Sequence, residues 1–235
     1  LVVGSLLVFT ALIVVDENYL LIKKEGEEIK FSTDNGTTAG IDNPYEENTW
    51  DGTEYVNNRV LNSTSTDYGL KLEGNLGNVN FINNGSITAT GSSSSYGIYN
   101  DSTMGTLTNN GIITATGSGS SYGIYNGYGA IGTLTNNGII TGTSTSGGYG
   151  IYNDRGTIGT LTNNGVITRA TSTNRNGYGI YNEGGTIGTL TNNGVITGTS
   201  TSGLGYGIYN NKNYFDTTIE ILLNNGTITG TSTSG

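Results

Sequence analysis

Asp154 and Glu183 stand one repeat apart, each directly after a copy of the pentapeptide Tyr-Gly-Ile-Tyr-Asn. Two carboxylates brought side by side can hold Ca²⁺. They can also divide acid and base roles in cleaving a polysaccharide. Other copies of the pentapeptide place Asp101, Gly127 and Asn211 at the same position. No row of Lys or Arg, no second row of carboxylates and no histidine accompanies the pair. The G-G-x-G-x-D nonapeptide of calcium-binding β-rolls is also absent. The sequence therefore reads Asp154 and Glu183 as solvated corner charges that discourage misregister. It assigns no catalytic, cofactor-binding or metal-ligating residue.

Three other patterns carry potential chemistry. Gly127-Tyr-Gly129-Ala-Ile-Gly132 matches G-x-G-x-x-G, but Thr-Leu-Thr-Asn-Asn follows it where dinucleotide binding requires a helix start. The second tyrosines of the pentapeptides, Tyr99, Tyr125, Tyr152, Tyr181 and Tyr209, should form an outward row. Such a row stacks on itself and stiffens a rod, or stacks on sugars and partner side chains. Thr88/Thr90, Thr114/Thr116, Thr141/Thr143, Thr197/Thr199 and Thr229/Thr231 give an outward Thr-x-Thr array, the kind that β-helical ice-binding proteins use. Arg169 and Ala170 after Thr168 break it, and the loops beyond it vary in length, so the register is too loose for a lattice-matching face. With no cysteine and no histidine, the chain lacks disulfides, thiolate metal sites and the commonest general base.

What positions these residues is a repeat. The pentapeptide starts at Tyr96, Tyr122, Tyr149, Tyr178 and Tyr206, with a degenerate copy at Tyr68-Gly69-Leu70. Asn-Asn-Gly keeps step at Asn83, Asn109, Asn136, Asn163, Asn192 and Asn224, and Asn57-Asn58-Arg59 is a worn seventh copy. A fixed period of this length marks a solenoid. Each repeat holds three short β-branched runs bounded by Gly, Asn and Ser, with no helical spacing of apolar residues. The fold expected is all-β, a parallel β-helix with three short strands per coil of about 27 residues. Coils about 4.8 Å apart would make a rod of roughly 30 Å.

Strand alternation then sorts the side chains. The second residue after each Asn-Asn-Gly is always Ile (Ile87, Ile113, Ile140, Ile167, Ile196, Ile228), whereas its predecessor varies from Ser86 to Ile112 to Val166. Constant Ile inside and variable neighbour outside is the consistent assignment. Phe81, Leu107, Leu134, Leu161, Leu190 and Leu222 form a second inward row, and Ile98, Ile124, Ile151, Ile180 and Ile208 a third. The first Asn of each Asn-Asn-Gly, two places after the Leu, should also point in and bond its amide along the axis. The following Gly is expected to supply a positive φ at the corner. Tyr96, two places before Ile98, is expected inward or at the corner. Asn-Gly also suits a hairpin, but identical stacked sequences satisfy parallel pairing more simply.

Composition fits this picture. The chain has 40 Gly, one Pro and 11% charged residues, with a net charge of −9. Eleven of the 18 acidic residues lie between Asp16 and Glu54. No basic stripe offers a phosphate footprint, which argues against nucleic acid. Three regions follow. Residues 1–15 are an apolar leader, read as a signal-like segment that has lost its start. Its alternative is a buried strand pair, residues 6–15 with 19–23, covering the first coil. Residues 16–52 are an acidic, irregular N-terminal cap with turn signals at Asn35-Gly36, Asp42-Asn43-Pro44 and Asp51-Gly52. Residues 53–235 are β-helix repeats, and both ends of the chain look like truncations of a longer protein.

Gly132-Thr-Leu-Thr-Asn-Asn-Gly-Ile-Ile-Thr141, Tyr149-Gly-Ile-Tyr-Asn153 and their copies cover roughly Glu54 to Gly235. In repeat style they resemble the passenger regions of Gram-negative autotransporters (type V secretion), particularly long fusobacterial-type adhesins. That resemblance implies a right-handed parallel β-helix exported to the cell surface, followed by an outer-membrane β-barrel that these residues do not include. The function expected is a non-enzymatic cell-surface stalk or adhesin, with a host or bacterial surface protein or glycan as partner. The alternative is a carbohydrate-active β-helix, lyase or tailspike-like, which needs clustered carboxylates or basic residues in one groove. No cofactor is expected.

Overall fold

The computed structural model describes residues 19–33, 39–64, 67–172, 175–212 and 215–233; the apolar leader 1–15 lies outside them. All regular structure among the described residues is β. A coil reads Ser120–Gly127, Ala130–Asn136 and Ile139–Ser144, here called the Tyr, Leu and Ile strands. Each pairs in parallel with its equivalents one repeat away, as in Tyr122↔Tyr149, Leu134↔Leu161 and Ile140↔Ile167. The result is a β-solenoid of about six turns. Seven Ile strands form one sheet, and Tyr and Leu strands merge into a 15-stranded sheet through the continuous strand Ser95–Asn109. The Asn-Gly corners therefore make no hairpins.

The three inward rows are fully buried in the inner coils: Ile113, Leu134 and Ile151, for example, are each at 0% exposure. Burial of one such side chain contributes about 1.5–3 kcal/mol. In the last described coil Leu222 rises to 49%, since no coil among the described residues stacks beyond it. A fourth buried row, Met104, Ile131, Ile158 and Ile187, opens the Leu strands. It stands three places before the Leu row, because the chain bends at Gly132 and its equivalents between the two, and alternation does not predict it.

The first Asn of Asn-Asn-Gly is buried and forms an amide ladder, Asn57 to Asn83 to Asn109 to Asn136 to Asn163, each Nδ2 donating to the next Oδ1 at 2.8 Å. The role expected of the following Gly is corrected. None of Gly85, Gly111, Gly138, Gly165, Gly194 and Gly226 has a positive φ. What they allow is close approach: a Cβ on Gly138 would stand 1.9 Å from the Gly111 carbonyl oxygen. Arg59 holds this position in the first copy, at the end of its sheet, where no earlier Ile strand among the described residues lies beneath it.

At the N-terminal end Leu20–Glu25 pairs in parallel with Tyr68–Asn75 and turns back antiparallel into Glu28–Ser32. Leu20, Ile22 and Phe31 thereby join the solenoid core. Phe31 packs on Tyr55, and Tyr55 stacks on Phe81, continuing the Leu row with aromatic rings. Tyr55 is wholly buried; its hydroxyl donates to Asn43 Oδ1 and accepts from Asn48 Nδ2.

Candidate functional site: the tyrosine face

The pentapeptide builds the most distinctive face of the rod. Gly97 and Ile98 are consecutive buried residues, so the strand bends there and its parity changes. A Cβ on Gly97 would lie 2.5 Å from the Gly123 carbonyl oxygen and 2.6 Å from Ile113 Cγ2, so only glycine fits. The bend puts Tyr96 at the corner and turns it to the same outer face as Tyr99. Both tyrosine rows are half-buried there.

Tyr68, Tyr96, Tyr122, Tyr149, Tyr178 and Tyr206 stack ring on ring, with centroids 5.0–5.3 Å apart. The second row, Tyr99 to Tyr209, packs against the first: Tyr96 meets Tyr99 edge-on at 5.2 Å. Aromatic pairs of this kind contribute about 0.5–1.5 kcal/mol beyond their burial. The rows therefore hold each other, and what they offer to solvent is ring edges and hydroxyls.

Asn100, Asn126, Asn153 and Asn182, the last residues of the pentapeptide, are buried and form a second amide ladder at 2.7 Å per step. Sequence reasoning missed it, although its signal was available: each Asn lies two places after an inward Ile.

Asp154 and Glu183 are axial neighbours, as expected. Their oxygens are already engaged. Tyr125 Oη donates to Asp154 Oδ2 at 2.6 Å, and Tyr152 Oη donates to Glu183 Oε2. Asn211 donates to Glu183 Oε1 at 3.1 Å and to Tyr181 Oη at 2.7 Å. Arg155 Nε lies 3.6 Å from Asp154 Oδ1. Burial first, then the carboxylate that accepts the hydroxyl proton, pushes Tyr125 and Tyr152 well above the usual tyrosine range. Asp101 extends the same row toward Glu73, its register partner, and burial followed by that neighbour raises its pKa.

The pair is thus tied into a diagonal hydroxyl–carboxylate network. Among the described residues no three of His, Cys, Asp and Glu converge. Gly127–Gly132 runs strand, corner, strand, with Tyr128 at φ 53° and no helix for a phosphate to cap. The first threonine of each Thr-x-Thr keeps register from Thr88 to Thr114, Thr141, Thr197 and Thr229, with Thr168 holding the same position in the coil where the pattern breaks. The register shifts between Arg169 and Ser172. A scan of protein-family models, a search of curated proteins and a search of solved structures each found no match to this chain.

Proposed function

We propose that the chain is a non-enzymatic stalk and contact rod, the passenger part of a surface-exported adhesin of the autotransporter type. The observation that carries this reading is the engagement of Asp154 and Glu183 by Tyr125 and Tyr152 within coils that otherwise repeat one environment. Catalysis needs differently tuned groups converging on one substrate position. Recurrent coils offer instead the same weak contact many times, which gains from clustering. The partner class is a surface protein or glycan met along the tyrosine face.

The test is to display the purified chain on beads and compare its cell and glycan binding with that of the free chain, alongside assays of polysaccharide depolymerisation. Clustering should raise apparent affinity, with no sugar release. Release of reducing ends or unsaturated sugars that Asp154→Asn abolishes would overturn the proposal.

A further inference from the structure

One coil differs from the rest. Arg169 occupies the inward position that Ala89, Ala115, Gly142 and Gly198 hold in other coils. It is buried, at 1% exposure. Its Nη1 donates to the carbonyls of Asn176 at 2.7 Å, Thr199 at 3.3 Å and Arg175 at 3.4 Å, and its Nη2 to that of Ser144 at 3.3 Å. Nε, also buried, has no hydrogen-bond partner among the described residues. A buried cation is normally matched by a carboxylate. Here the ionisable groups acting on it are Tyr149 and Tyr178; desolvation lowers its pKa to about 10, so it stays charged at neutral pH.

Neighbouring residues make room for it. Gly148 and Gly177 face it where the two preceding coils carry Ser95 and Ser121. A Cβ on Gly148 would stand 2.6 Å from Nε, and one on Gly177 2.7 Å from Nη1.

Beyond the backbone that this guanidinium holds is an open pocket of about 350 Å³, lined by Tyr149, Tyr178, Arg175, Asn176, Ser202 and Gly203. Arg169 holds its rim: the Arg175 and Asn176 carbonyls accept from it, and Ser200 Oγ donates to the Arg175 carbonyl at 2.6 Å. Asn176 is fixed further, donating to Tyr178 Oη at 3.1 Å and accepting from the Leu204 amide at 2.9 Å. Arg175 is exposed at the edge. So in a chain of net charge −9, one of its nine basic residues, Arg175, lines the pocket, and a second, Arg169, holds the backbone of that lining.

We propose that this pocket binds the carboxylate of an acidic sugar residue. Arg175 would contact the anion directly, Arg169 would position the rim through the Arg175 and Asn176 carbonyls, and the Tyr149 and Tyr178 hydroxyls with Ser202 would meet the ring hydroxyls. The volume lies at the lower end of small-molecule sites, which suits a single sugar ring. Planar guanidinium suits a carboxylate. Through Tyr149 and Tyr178 this site lies on the tyrosine face, so it rests on the contact-rod reading and names one glycan class for it; a rod that gains from clustering but takes no acidic sugar here would fail this proposal alone.

The experiment is an amide-resonance titration of the full chain with methyl glucuronoside, methyl glucoside and acetate. The expected result is saturable shifts at Gly147, Asn176 and Gly203 with the glucuronoside, at least tenfold weaker with the other two. Arg175→Gln and Arg169→Gly should each weaken binding tenfold or more, the second restoring the glycine its neighbours carry. Circular dichroism reports whether each variant folds; should Arg169→Gly fail, Arg175→Gln on an exposed side chain decides alone. Equal response to glucoside or to acetate, no response at all, or undiminished binding by folded variants would overturn the proposal.

Discussion

The two asparagines of each Asn-Asn-Gly form ladders that are nearly identical in geometry and opposite in setting. Asn109 donates to Asn136 at 2.8 Å inside the rod, where both are at 0% exposure. One residue later Asn137 donates to Asn110 at 2.8 Å on the outside, in the reverse axial direction. The inner amide also donates to backbone carbonyls, as Asn136 does to Gly138 at 3.2 Å and Val166 at 3.1 Å. The outer amide has water as an alternative partner at every step. Bond length therefore says little about what a ladder is worth; the environment left behind when it breaks decides.

The glycine that closes the same triplet sets the outer limit of the comparison, because both ladders depend on how closely coils approach. Gly138→Ala places a methyl against the Gly111 carbonyl, which is backbone and cannot rotate away. Forcing that contact should destabilise by about 3 kcal/mol. A urea midpoint within error of the parent would show that the coils can part without penalty, and both ladders would then need another account.

Much of this was legible because alternation by two is a strong rule wherever a strand is straight. It placed Ile87, Leu107, Ile98 and Asn83 inside. It left Tyr96 inward or at the corner, and the bend at Gly97 puts it at the corner; it failed at Ile131, where a bend at Gly132 inserts an odd step that a two-residue period cannot register. The same rule places Asn100 and Arg169 inside, each two positions after an inward Ile. Asn100 was masked by its membership in a tyrosine motif. Arg169 was masked by the strong expectation that arginine faces water; it was read only as a break in the outer threonine array. The glycine of Asn-Asn-Gly was misread for a different reason. Sequence shows that glycine is required but not whether φ or contact requires it, and only the neighbouring coil distinguishes the two.

The ladders themselves can be separated directly. Asn136→Ala strips the buried Asn109 amide of its rung and leaves Asn163 Oδ1 without its donor, which should cost about 1–3 kcal/mol. Asn137→Ala removes the same bond outside, and the change should stay within about 0.5 kcal/mol. Equal losses in urea melts would mean that burial does not set the value of these amides. A still smaller loss for Asn153→Ala than for Asn137→Ala would mark the pentapeptide ladder as ornamental to stability.

The finest distinction concerns pH, because inner amides do not titrate and outer tyrosines do. Tyr125 keeps its proton against Asp154 Oδ2, and burial and that carboxylate raise its pKa above the unfolded value of about 10. Below pH 10 both states hold the proton and the contribution is complete. As pH rises beyond about 10 the unfolded chain releases a proton that the folded chain retains, so stability falls toward the folded pKa. Tyr152 acts the same way through Glu183. The parent should therefore lose more stability between pH 8 and pH 11 than Tyr125→Phe or Tyr152→Phe, whose rings keep the stacking but carry no proton to lose. At pH 8 the phenylalanine variants should differ from the parent by no more than the value of one partly exposed hydrogen bond, about 1 kcal/mol. Parallel pH slopes in all three chains would show that the hydroxyl–carboxylate contacts leave the tyrosines unshifted. The outer face would then be held by ring stacking alone, and Asp154 and Glu183 would return to consideration as groups available for other chemistry.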